Sequence, residues 1–161
     1  MNSFKRKVLA TAVFAGLGIA GSAHAVYQDP TGLGGALIYP YYSVQQADGN
    51  AYNTYVSVVN TTANVKVVKV RFREGRNSRE VLDFNLYLSP NDVWTAALVP
   101  ADATGGANTP GRLLTADASC TNPLIPAGGV NFRNFAYADA NDDGGGETLD
   151  RTREGYLEMI E

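Results

Sequence analysis

The chain has 161 residues, with 13 Lys and Arg against 16 Asp and Glu, one His and one Cys, for a net charge of −3. Its only histidine, His24, falls in a predicted leader, so the predicted mature chain lacks imidazole and excludes Ser-His-Asp and Cys-His nucleophilic sites. The acidic balance also lacks the basic footprint that nucleic-acid phosphates require, so no nucleic-acid partner is expected.

The leader reads in three parts. Lys5, Arg6 and Lys7 make a basic start, Val8 to Ala20 is an apolar run, and Ala23-His24-Ala25 supplies the small-x-small cleavage pattern. Residues 1–25 are therefore predicted to be a signal peptide, and the mature chain to begin at Val26. The expected location is the periplasm, the cell surface or the extracellular space. Val26 is not Cys, so the cut offers no lipoprotein acceptor. Losing the three leader cations leaves 10 basic against 16 acidic residues, a net charge near −6. The remaining 136 residues suit one domain with a real core. No later apolar run is long enough for a transmembrane helix.

Residues 26–35 are Gly- and Pro-rich and read as an irregular lead-in, with the domain predicted over 36–161. Ala36 to Tyr39 is a candidate strand ended or edged by Pro40, and Tyr41 to Val44 keeps the β-favouring composition. Gln45 to Asn50 reads as a turn around Asp48-Gly49. In Asn53 to Asn60, Thr54, Val56 and Val58 form the predicted inward face; Asn60 to Asn64 turns the chain again. Val68, Val70 and Phe72 alternate with Lys69, Arg71 and Arg73, the period of a half-buried strand. After a Gly75–Ser78 loop the return strand places Leu82, Phe84, Leu86 and Leu88 on one face and Val81, Asp83, Asn85 and Tyr87 on the other, making a hairpin.

Ser89-Pro90-Asn91-Asp92 is a turn, and Val93 to Val99 a strand stopped by Pro100. Ala101 to Gly111 reads as a loop, Arg112 to Thr115 as a short strand, and Cys120 to Gly129 as mostly irregular. Asn131 to Ala138 alternates and is predicted as a strand, followed by an acidic Gly-rich loop from Asp139 to Asp150. Short strands at roughly ten-residue spacing favour an antiparallel β-sandwich or barrel. The predicted core is Val56, Val58, Val70, Phe72, Leu82, Phe84, Leu86 and Trp94.

Four features carry candidate chemistry. The segment from Asp139 to Asp150 places Asp139, Asn141, Asp143, Gly145, Glu147 and Asp150 at loop positions one, three, five, seven, nine and twelve, with spacing similar to the calcium loops of EF-hand and dockerin proteins. Calcium is the one cofactor the sequence implies; a solvated acidic turn explains the same composition. Lys69, Arg71 and Arg73, near Lys66, Arg76 and Arg79, form a cationic face. It could hold an acidic polysaccharide or a lipopolysaccharide phosphate, but its simpler reading is a wet strand face paired with Asp83 and Glu74. Tyr39, Tyr41, Tyr42, Tyr52 and Tyr55 crowd the first strands, either as sugar platforms or, more simply, as packing. Glu158 and Glu161 fall on opposite faces of a strand and do not make a catalytic carboxylate pair, so no catalytic residue is assigned.

Cys120 is alone, which in an exported protein reads as a free thiol, an intermolecular bridge or a missing partner. Gly155 to Glu161 reads like the start of an ordered element, and the chain is expected to be an N-terminal piece of a longer protein.

The runs Leu37-Ile38-Tyr39-Pro40-Tyr41-Tyr42, Val56-Ser57-Val58-Val59-Asn60-Thr61-Thr62, Val68 to Gly75 and Asp83 to Trp94, with Asp150 to Tyr156, resemble uncharacterised exported or cell-surface proteins of proteobacteria. The resemblance brings no established activity and no functional residue. At a looser level the strand and turn order is similar to immunoglobulin-like modules. The expectation is an all-β, immunoglobulin-like antiparallel sandwich with a non-enzymatic structural, adhesive or assembly role. Its expected partners are further copies or other cell-envelope components. The alternative is a carbohydrate-binding module, or a fragment of a carboxylate-based polysaccharide-active enzyme, with polysaccharide as partner.

Overall fold

The computed structural model describes residues 33–47, 50–102, 106 and 108–161. The predicted signal peptide, most of the 26–35 lead-in, the Asp48-Gly49 turn tip and part of the 101–111 loop lie outside the described residues. From Gly35 onward the chain forms one unit. Its strands are β1 (Ala36–Ser43), β2 (Gln46–Ala47), β3 (Asn50–Ala51), β4 (Thr54–Val59), β5 (Lys66–Glu74), β6 (Glu80–Leu88), β7 (Val93–Pro100), β8 (Gly111–Leu114), β9 (Cys120–Asn122), β10 (Val130–Asn131) and β11 (Glu154–Ile160). All pairings are antiparallel. One sheet has the order β1-β11-β5-β6-β9, the second β10-β8-β7-β4, and β2-β3 is a small ribbon. The all-β, sandwich-like architecture read from the turn spacing is the one observed.

The inner faces of both sheets supply one continuous core. Val56 and Val58 of β4, Trp94 and Leu98 of β7 and Leu113 of β8 are buried, as are Val70, Phe72, Phe84, Leu86, Leu157 and Met159 from the five-stranded sheet. Each such side chain contributes roughly 1.5–3 kcal/mol relative to exposure. At one end Tyr42, Phe72 and Phe132 pack as a trio with ring centroids 5.1–5.9 Å apart. Edge-on geometry there sets positive ring edges against negative faces.

Local differences from the expected strands have physical causes. β1 runs through Pro40 instead of ending there, because it is an edge strand whose register shifts between Tyr39 and Tyr42. A second irregularity, between Phe72 and Arg73, leaves Val81 as an extra residue on β6. It reverses the expected faces at the start of that strand: Val81 is buried and Leu82 only partly so. The segment 131–138 is not a strand beyond Asn131. Phe132 donates its N–H to Gly111 O (2.8 Å), on one sheet, and Arg133 to Val81 O (2.9 Å), on the other. The chain there bridges the layers and cannot follow a ladder, and Tyr137 N–H closes a turn onto Asn134 O (2.9 Å). β9 lies within the stretch expected to be irregular. The ordered element expected at the end of the chain is β11, and it sits between β1 and β5.

Candidate functional site

Glu74 continues the inward parity of Val68, Val70 and Phe72, so β5 ends by driving a carboxylate into the interior. Its side chain is wholly covered. The following loop curls back and aims three backbone N–H groups at it: Arg76 (2.7 Å), Asn77 (2.9 Å) and Arg79 (2.9 Å). Arg151, in the 3-10 segment Leu149–Arg153, completes the shell with Nε to Glu74 Oε2 (2.9 Å) and Nη2 to Oε1 (3.1 Å). Burial pushes the Glu74 carboxyl up, but the Arg151 hydrogen bond and the backbone donors of Arg79, Arg76 and Asn77 outweigh it and hold it below its ordinary value.

The rest of Arg151 is equally committed. Nη1 donates to Asp143 Oδ1 (2.8 Å) and Gly146 O (2.8 Å), and Nη2 also reaches Asp143 Oδ2 (2.6 Å). Its N–H groups thus all find acceptors. Its guanidinium carbon lies 4.1 Å from the centroid of the Tyr137 ring, a cation–π contact. Asp143 is held well below the usual carboxylate range, first by the Arg151 hydrogen bond, against desolvation and with help from Gly145 N–H. Arg151 is held further above its ordinary value by Asp143 and Glu74. Burial raises the Tyr137 phenol to about 12, with Arg151 opposing. Nothing in this group is poised to exchange a proton near neutrality. Chemically it is a latch that fastens the acidic loop to the end of β5.

That latch determines where the predicted calcium residues lie. Asp143 spends its carboxylate on Arg151, with Arg79 Nε at 3.3 Å, and Gly145 caps it through N–H at 2.9 Å. Asn141 donates its amide to Phe135 O (2.9 Å), and Asp139 begins a 3-10 turn at φ 52°. Glu147 is exposed, its carbonyl accepting from Asn134 (2.8 Å), and Asp150 belongs to the 3-10 segment. Asp143 and Gly145 therefore meet at the latch. Among the described residues no three His, Cys, Asp or Glu side chains are grouped to hold a metal ion.

The cationic face is largely self-paired. Lys69 meets Asp83 and Lys66 meets Glu161, while Arg71 reaches Glu80 at 3.2 Å and Arg73 reaches Glu158 at 3.2 Å. Asp83 pairs as expected, whereas Glu74 pairs with Arg151. Arg71, Arg73 and Arg79 also line an open cleft of about 560 Å³ beside Ser78, Glu80 and Phe135. Of the clustered tyrosines, Tyr42 is buried and donates to Thr152 O (3.1 Å), and Tyr39 donates to Ser57 O. Tyr41, Tyr52 and Tyr55 are exposed. Cys120 is an exposed free thiol on β9.

Arg151 was not singled out by the sequence, although Glu74 carried a signal: an acid in phase with three buried apolar residues requires a cationic partner. No helix among the described residues is long and apolar enough to cross a membrane. No family model matches the chain, and neither the curated proteins nor the solved structures contain a match to it.

Proposed function

We propose that the chain is an exported, non-enzymatic surface protein with a structural, adhesive or assembly role at the bacterial cell surface, built on an immunoglobulin-like variant of the sandwich. The observation that supports this best is the unequal chemistry of the two outer sheet faces. Outward positions of β5 carry the paired charges Lys69, Arg71 and Arg73. Outward positions of the other sheet set Tyr55, Ser57 and Val59 of β4 opposite Ala97, Thr95 and Val93 of β7, with Leu114 of β8 beyond Ala97. Around Tyr55, Ser57, Thr95 and Leu114 the field holds no charge and has a shallow groove of about 580 Å³, while Arg112 of β8, opposite Val99, lies further along the same face and donates Nε to Asn131 (2.7 Å). A charge-free field of this kind suits contact with a second copy. The low-lying carboxyls of Glu74 and Asp143 fit a structural role better than acid–base chemistry.

Sedimentation of the 26–161 form tests the reading. Concentration-dependent association that is lost in Thr95→Lys supports it, and a monomer at every concentration defeats assembly. Amino-terminal sequencing of envelope fractions should give Val26; a retained leader defeats export. A second reading, a carbohydrate-binding module, draws on Tyr41, Tyr52 and Tyr55, which stand 63%, 62% and 78% exposed, far more than packing alone requires.

A further inference from the structure

We propose that the cleft beside the β5–β6 hairpin binds the carboxylate of an acidic sugar, a uronic-acid unit of a polysaccharide. The inference rests on the carbohydrate-binding reading and gives it a site and a ligand class. One wall is cationic. Arg71 commits Nε to Glu80 (3.2 Å) and Arg79 commits Nε to Asp143 (3.3 Å), leaving the paired Nη groups of both without an acceptor among the described residues. Arg73 is held by a hydrogen bond from Nη1 to Ser78 O (2.9 Å) and by an ion pair with Glu158 (3.2 Å) in which Nε makes no hydrogen bond. Arginines tethered at Nε present the two-pronged end that matches a planar carboxylate.

Donor geometry, with the charges paired, is what favours an anion here. Arg71 is balanced by Glu80 and Arg73 by Glu158, and Asp143 gives both oxygens to Arg151. Arg79 and Arg151 together balance Asp143 and Glu74, so what the cleft offers an anion is unspent guanidinium N–H donors on Arg71 and Arg79. The other wall is Phe135, 54% exposed and lining the same cleft. A flat apolar ring in the same cleft as the arginines fits the C–H face of a pyranose whose carboxylate turns to the guanidinium groups. Bare phosphate would leave that ring unused. The Arg151 latch and the Asn141–Phe135 hydrogen bond hold this wall in place before any ligand arrives, which lowers the ordering required on binding.

The test is titration calorimetry of the 26–161 form with a galacturonic-acid tetramer, a neutral galactose tetramer and inorganic phosphate as probes. The acidic tetramer should bind with a Kd on the order of 0.1–1 mM. Arg79→Gln and Phe135→Ala, both at exposed side chains, should each weaken it about tenfold with unchanged melting temperature. Lys66→Gln, outside the cleft, should leave it unchanged. If the neutral tetramer binds as well as the acidic one, the inference is overturned while the carbohydrate reading survives. If neither tetramer binds, both fall. If phosphate binds as tightly and Phe135→Ala has no effect, the cleft is a simple anion site and the inference is overturned.

Discussion

Arg151 and Glu74, separated by 77 positions in the chain, meet through hydrogen bonds of 2.9 and 3.1 Å, with side chains only 2% and 0% exposed. Burying two charges is unfavourable unless every lone pair and proton is used, and here the loop 76–79, Asp143 and Gly146 complete the set. The pair fixes which part of the acidic loop faces the sheet and which faces solvent.

Removing the cation should therefore strand an acid in the interior. Arg151→Met is expected to destabilise the fold by about 3–5 kcal/mol in urea unfolding. Arg151→Lys should recover little of it, because an ammonium cannot serve Glu74, Asp143 and Gly146 from one plane. A loss below about 1 kcal/mol for the methionine variant would contradict the latch.

Acid should loosen the same contact. The folded Glu74 carboxyl lies below its ordinary value of 4.5. As pH falls, the unfolded chain takes up this proton first. The stabilisation from Glu74 is thus fully present above about 4.5 and is lost as pH drops through the folded value. Asp143 acts with the same sign. Unfolding free energy measured from neutral to acid pH should fall on the acid side, with a shallower decline in Glu74→Gln. An unchanged slope in that variant would remove Glu74 from the account.

Gly155 pairs with Glu74 where β11 runs close against the β5 backbone. A Cβ at 155 would sit within clashing distance of the Arg73 carbonyl oxygen and 2.9 Å from Glu74 Cα, both of them backbone. Gly155→Ala should lower stability by roughly 1–3 kcal/mol or more, the range for overpacking. Gly128→Ala, with nothing within 4 Å of its added carbon, should change it by less than about 0.5 kcal/mol. Equal melting temperatures for the two variants would refute the close approach.

The β6 irregularity makes opposite demands on neighbouring residues. Val81 is 1% exposed, whereas Leu82 only packs against the core margin. Val81→Asn should destabilise by about 2–3 kcal/mol, because the amide enters an apolar site, and Leu82→Asn by distinctly less. Chemical denaturation of both variants decides the register; the reverse order would restore unbroken alternation.

How far the fold was legible follows from these details. Strict alternation in β4 and β5, and turn chemistry at Ser89–Asp92, identified the strands and most of the core because each depends on neighbours in sequence. The Asp92 carboxylate accepting Ser89 N–H at 3.0 Å is such a local device. What escaped was set at a distance. The reversal at Val81 comes from pairing with β5, and the bridge at Phe132 from two sheets whose proximity no short window encodes. For the candidate site, Asp143 and the β5 cations were marked by composition. Their arrangement was not, since Arg151 reaches the carboxylates only after the chain has folded back.

β1 finds its ladder partner in β11, nearly the whole described length further along the polypeptide. The five-stranded sheet therefore cannot be completed until Glu154–Ile160 is available to pair with β1 on one side and β5 on the other. Contacts this remote slow the search for the native state. Premature termination before Glu154 would leave β1 unladdered and open the flank of β5, turning a closed layer into a sticky one.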